Sequence, residues 1–293
     1  MKLLIAMVCL CLHCADLQAQ TMTPSTEPRE GRIVHENNAS QTATVFTYSR
    51  RPLQEAIRLV NEEYGWGINY EDAPTVNASE VVDDDAEFRK LHPGYREGFV
   101  AKGHPFRSTF NETLTHHADQ ETVLLQLLED YNTSTNPGRY SLERTAQNGY
   151  VIVGTKYKSV SGTEATFISP LNCPISVAIS PMSLHDALQL VAKQVSDTCK
   201  TDLNAEYAGE ALGPLANGNV AGTYDQQLAR DVVEALLLQE RGFLCYSVEY
   251  VPVLNQFYLE TWLVRRKITG VDGNQILDPV LNERAVGAEQ HPF

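Results

Sequence analysis

Leu53-Gln54-Glu55-Ala56-Ile57-Arg58-Leu59-Val60 and Leu184-His185-Asp186-Ala187-Leu188-Gln189-Leu190-Val191 match position by position. Each carries apolar residues at helical spacing and one acidic residue in third place, so the same amphipathic helix is met twice. Further along each copy comes a second apolar helix, Val123-Leu124 to Leu127-Leu128 and Val232-Val233 to Leu236-Leu237. A strand-like segment follows in both, Tyr140-Ser141-Leu142-Glu143 and Tyr246-Ser247-Val248-Glu249. Three landmarks recurring in one order predict a duplicated unit. The fold class that follows is α+β, two tandem repeats, each a small sheet with two helices packed on one face.

The flanking residues set the boundaries. Residues 43–157 form the first repeat, opening on the alternating strand Thr44 to Tyr48. Pro52 suits the first helical turn, and Gly65 suits its end. Residues 72–111 read as an insertion of loops with one or two further strands. A second helix spans about Ala118 to Tyr131, and a hairpin joins Tyr140–Glu143 to Tyr150–Val153. Residues 158–172 are a Ser/Thr/Gly-rich linker. The second repeat, 173–267, runs strand Ile175–Ile179, helix Leu184–Val195, strand Thr201–Tyr207, helix Gln227–Gln239, and paired strands Leu244–Val251 and Phe257–Val264. Residues 20–42 read as a flexible leader and 268–293 as a polar tail.

Lys2, the apolar run Leu3 to Leu12 and the small residues Ala15 and Ala19 have the form of a secretory signal peptide, with cleavage expected after Ala19 and Ala15 as the alternative. The expected location is therefore secreted or periplasmic. A formal net charge of -14 argues against nucleic acid, whose phosphates demand a basic surface, and against docking on anionic lipid. No later apolar run reaches membrane-spanning length. Cys173, Cys199 and Cys245 survive processing, which suits one disulfide and one thiol in an oxidising compartment. The strand from Cys173 runs forward and the following helix returns across the sheet, so Cys173 and Cys199 are the expected pair. Asn38, Asn77, Asn111 and Asn132 begin Asn-x-Ser/Thr sequons, read here as unoccupied.

The plan of strand, helix, strand, Leu-rich helix and closing hairpin resembles the short N-terminal module of secretins and TonB-dependent receptors. The first copy carries it through Arg51-Pro52-Leu53 to Tyr70 and Val123 to Val153; the second follows more loosely through Ser183-Leu184 to Tyr207 and Asp231 to Val264. The chain is also similar to secreted bacterial proteins without an assigned function, in which Tyr64-Gly65-Trp66, Tyr70-Glu71-Asp72 and Asn136-Pro137-Gly138 have counterparts. The resemblance implies small mixed modules that contact other proteins in the periplasm. It does not carry a transport role, because no barrel or ring-forming domain follows here.

Chemistry-bearing patterns are few. His116-His117 with Asp119 offers imidazole and carboxylate, but adjacent helical residues diverge by about a hundred degrees and do not serve one closed metal site. Asp83-Asp84-Asp85 lacks the ligand spacing of a calcium loop. The acid pairs Glu62-Glu63 and Glu71-Asp72 have the residue types of a glycosidase, read here as surface acids. There is no Gly-x-Ser-x-Gly elbow, and no phosphate-binding loop. Trp66, Tyr140 and Tyr246 read as core. Tyr95, Phe99 and Phe106 lie in the insertion, where no repeat counterpart demands them, and form the candidate interaction surface. The expected function is non-catalytic, binding a protein or cell-envelope component without a cofactor. The rival is an extracytoplasmic hydrolase with its site between the two repeats. Convergent buried polar groups between them would favour the enzyme, and an apolar patch would favour binding.

Overall fold

The protein is described from a computed structural model covering residues 31–36, 41–83, 90, 98–111, 119–147, 149–206, 219–269 and 274–282. The signal segment, Asn38, Asp84, Asp85, Tyr95, His116 and His117 lie outside the described residues. The chain is of mixed α+β class. Its elements are β1 (Arg32–Glu36), β2 (Thr42–Thr47), α1 (Pro52–Tyr64), β3 (Ile68–Glu71), β4 (Val81–Asp83), β5 (Phe99–Ala101), β6 (Phe106–Asn111) and α2 (Gln120–Thr133). There follow β7 (Arg139–Arg144), β8 (Tyr150–Lys158), β9 (Glu164–Thr166), β10 (Pro174–Ser183), α3 (Leu184–Cys199), β11 (Leu203–Ala205), β12 (Asn219–Leu228) and α4 (Ala229–Leu237). β13 (Leu244–Val251), β14 (Gln256–Leu263), β15 (Arg265–Thr269) and β16 (Gln275–Pro279) complete the chain.

The quoted helices form where their patterns place them. In α1 the residues Leu53, Ala56, Ile57 and Val60 are buried, and in α3 Leu184, Ala187, Leu188 and Val191 are buried. The shared acidic residue lies in the first turn of both helices, at the positive end of the dipole. Glu55 accepts from the amides of Tyr48 and Ser49 at 3.1 and 3.2 Å. Asp186 accepts from the Ser183 hydroxyl, whose oxygen in turn accepts from the Asp186 amide. Gly65, at φ 68°, ends α1 with its N–H on Asn61 O, a left-handed turn that costs glycine no Cβ clash.

Expectation and structure part at the sheet. The strands do not form one small sheet per half; six of them lie side by side in the order β11-β14-β13-β3-β8-β7, with β9 added on β8. β13 and β3 pair in parallel through Ser247↔Tyr70 and Val248↔Glu71, so the second half continues the sheet of the first. Side chains alternate faces along a strand, and the two cores use this. Ile68, Tyr70, Tyr140 and Ile152 join α1 and α2 on one face. Val151, Val153, Tyr246 and Val248 join α3 and α4 on the other. Each helix pair is capped by its own smaller sheet, β1-β2-β6 over the first and β10-β12 over the second.

The leader and the tail, read as irregular, contain strands, and the insertion carries the further strands expected of it. Part of the leader is β1, paired with β2. The insertion supplies β6, whose alternation buries Phe106, Ser108 and Phe110 against α2. The polar tail holds β16, which pairs with β15, while Val280 exchanges backbone bonds with Phe243 and Val264. Gly154 on β8 lies where the chain after β3 passes close against the sheet. A Cβ there would stand 2.6 Å from the Ala73 backbone nitrogen, closer than any side chain tolerates.

Candidate functional site

Of the candidate aromatic surface, Tyr95 is outside the described residues, Phe99 is exposed on β5, and Phe106 is buried in the core, its ring 5.4 Å from that of Tyr131. Phe106 is core because β6 completes the first half's small sheet, a role its place in an apparent insertion concealed. Cys173 and Cys199 form a disulfide with Cα atoms 6.1 Å apart. Cys245 is a buried thiol, pushed up by burial and then by the nearby Glu234 carboxylate, and so is unsuited to nucleophilic chemistry. Among the described residues no group of His, Cys, Asp or Glu is placed to hold a metal. The amides of Asn77 and Asn132 donate to the Ser159 and Tyr140 carbonyls, contacts that a glycan on either would remove.

The concentration of polar chemistry lies on β3. This strand is central in the sheet and all four of its residues are buried, so each polar side chain on it needs a partner. Glu71 and Asp72 are buried rather than surface acids, and they serve different clusters on opposite faces of the sheet. They cannot act as a carboxylate pair on one substrate.

On the α4 face, Glu71 is fully buried. Arg230, in the first turn of α4, grips it bidentately, Nε to Oε1 at 2.6 Å and Nη2 to Oε2 at 2.9 Å. Its remaining arm reaches Glu143 at 2.6 Å. The Tyr246 hydroxyl donates to Glu71 Oε1 at 2.8 Å. Burial alone would lower the Arg230 pKa, but the Glu71 hydrogen bond and charge raise it and keep the guanidinium charged. A cation sits poorly at a helix N-terminus, so its pairing, not its helix, accounts for its place. Asn69 accepts from the Tyr246 amide at 3.0 Å and donates to Glu234 at 3.3 Å.

Glu234 Oε2 is buried without a hydrogen-bond partner among the described residues. Burial pushes this carboxyl up to about 7, with a Thr145 hydrogen bond opposing. A carboxyl whose folded pKa exceeds its unfolded value, about 4.3, stabilises most below that value, and its contribution is lost as pH rises towards 7. Glu234→Gln should therefore leave stability nearly unchanged at pH 4 and raise it by about 3–4 kcal/mol at pH 8. Urea unfolding of both proteins at the two pH values checks this.

On the α1 face, Asp72 Oδ1 accepts from the hydroxyls of Tyr70 and Tyr140 at 2.9 and 2.8 Å. Arg51 Nε approaches Oδ2 at 3.4 Å, while its other nitrogens reach Glu249 at 2.9 Å and the Tyr250 carbonyl at 2.8 Å. Burial raises Asp72, and Arg51 and the two hydroxyls work against it. Both tyrosines are pushed well above their ordinary value, first by burial and then by Asp72.

Every link in both clusters joins the first half of the chain to itself or to the second half. Arg51 and Gln54 hold β13, and Arg230 and Tyr246 hold β3. The centre is polar and convergent, as an enzyme site would be, but Glu71, Asp72, Tyr70 and Tyr246 are 0–5% exposed, and two grooves lie elsewhere, against α3 and beside Glu80 and Lys158. Its bonds link the two halves of the chain. The acids were visible in Tyr70-Glu71-Asp72; Arg230 was also findable, since it shares a helical face with Val233 and Leu237. Comparison with protein-family models, with curated proteins and with solved structures finds no match to this chain.

Proposed function

We propose that the protein is a non-catalytic extracytoplasmic binding protein built of two units on one plan, the second docked on the first by strand addition. The strand pairings carry this reading. β2 pairs antiparallel with β6 as β10 does with β12. β3 pairs in parallel with β8 as β11 does with β14. β7 pairs antiparallel with β8 as β13 does with β14. Each helix also secures the strand after it by one polar side chain. Asn61 bonds both the N–H and C=O of Ile68, and Ser196 bonds both those of Leu203. On this alignment Ile68-Asn69-Tyr70-Glu71 corresponds to Leu203-Asn204-Ala205-Glu206.

The reading also draws on the resemblance of the sequence to the short N-terminal module of secretins and TonB-dependent receptors, in which contact with other proteins is the habitual role. The signal-like N-terminus and the disulfide support an oxidising compartment outside the cytoplasm. No helix among the described residues is long and apolar enough to cross a membrane. The polar centre has the convergence expected of an enzyme, but Glu71 and Asp72 are 0 and 5% exposed and already bonded to Arg230, Tyr246, Tyr70 and Tyr140, which supports binding over hydrolysis. Chemical crosslinking in the native envelope, followed by mass spectrometry, tests the reading. One reproducible protein or envelope partner is expected, and a chain that crosslinks to nothing would overturn it.

A further inference from the structure

We propose that the outer edge of β11 docks an extended segment of another protein, one that alternates apolar residues with arginine or lysine and adds to the sheet parallel to β11. This rests on the binding-protein reading above and specifies the partner's chemistry.

The chain displays the binding mode within itself. β3, the counterpart of β11, has its edge covered by β13 in parallel, with the Asp72 amide on the Val248 carbonyl at 2.8 Å and the Tyr246 amide on Asn69. β11 ends the sheet. Its inward bonds are made by Asp202 O and by the Glu206 amide, to Phe257 and Leu259 of β14. In a parallel ladder the alternate residue turns both its groups the other way. Leu203 satisfies these on Ser196, and Ala205 directs its N–H and C=O outward as Tyr70 does towards β13. Sheet edges of this kind take added strands.

The two faces beside that edge differ in character. On the α3 side a groove of about 750 Å³ is lined by Met182, Gln189, Leu190 and Lys193, with Leu190 38% exposed. Alternate apolar side chains of an added strand would enter it. On the opposite side Asn204 and Glu206 are exposed. Glu206, Glu249 and Glu260 gather there, and burial together with Glu249 and Glu206 pushes the Glu260 carboxyl up to about 7. Glu71 in the equivalent place has Arg230. Among the described residues no cation pairs with Glu206, and a basic residue of the partner would supply one.

A second copy of this chain fits less well. Its free edge, β7, offers Tyr140-Ser141-Leu142-Glu143 where β13 has Tyr246-Ser247-Val248-Glu249. The Tyr140 N–H and C=O, however, are already bonded to Asn132. Two residues before Val123, where the second unit has Arg230 before Val232, stands Glu121, which would meet Glu206 as a like charge.

The test uses the mature chain and two fluorescein-labelled nine-residue peptides, one alternating valine with arginine and the other alternating valine with glutamate, followed by anisotropy at about 0.15 M salt. The arginine peptide should bind at least tenfold more tightly than the glutamate peptide. Ala205→Pro, which changes no charge and removes only an outward N–H, should weaken it at least tenfold. Glu206→Lys leaves the backbone intact and should bring the two peptides to within about threefold of each other, which keeps the proposal testable if the proline variant does not fold. Equal binding of the arginine peptide to both variants and the parent would mean loose attraction to an acidic protein and overturn the proposal. Photo-crosslinking from position 204 in the native envelope separates this from the broader reading. A partner captured only from other positions, or capture of a second copy through β7, overturns the β11 assignment and leaves a binding protein.

Discussion

Arg230→Ala will destabilise the protein by about 3–5 kcal/mol, because it leaves a fully buried carboxylate without its cation. The loss is expected to appear as a lower urea midpoint, a large fraction of the whole stability of a domain of this kind. Arg230→Lys should fall between the two, since a single ammonium cannot reproduce the bidentate grip on Glu71. Replacing Glu71 by leucine and Arg230 by methionine together should recover much of the loss, as removing both charges also removes their desolvation cost. If Arg230→Ala alone costs less than about 1 kcal/mol, Glu71 is not held as described.

The second large effect concerns the disulfide. Removing it in Cys173→Ala/Cys199→Ala should cost about 3 kcal/mol, chiefly by freeing the unfolded chain between two residues 26 apart. Mass spectrometry of the unreduced mature protein should find one free thiol, Cys245, that reacts with alkylating reagents only after unfolding. Three reactive thiols would contradict the pairing.

Much of the fold was legible because local physics wrote it. The apolar spacing of Leu53 to Val60 and Leu184 to Val191 fixed α1 and α3 and their buried faces, and Gly65 marked a helix end that only a left-handed residue makes well. The argument from strand and helix direction placed Cys199 beside Cys173. What was not legible depended on partners far away in the chain. Nothing in Phe106-Arg107-Ser108-Thr109-Phe110 says that it pairs with Thr42 to Thr47, so from sequence Phe106 reads as surface. The likeness of Ile68-Asn69-Tyr70-Glu71 to Leu203-Asn204-Ala205-Glu206 was hidden because α3 has 16 residues where α1 has 13, which shifts the register by close to one helical turn. The polar centre was half visible. Tyr70-Glu71-Asp72 names its acids, but burial in the middle of a shared sheet follows only from the β3–β13 pairing.

That pairing is the central claim, and the two tryptophans report on it from either side. Trp66 is buried in the core of the first half, and Trp262 lies on β14 in the second. Trp262→Phe leaves the first as reporter and Trp66→Phe leaves the second. In each variant, urea unfolding followed by fluorescence and by far-ultraviolet circular dichroism should give one coincident midpoint, since one sheet and one buried ion pair join the halves. Midpoints that separate, with one half losing its tryptophan signal while the other keeps its secondary structure, would mean that the halves fold independently and that the joint at Glu71 and Arg230 does not hold them together.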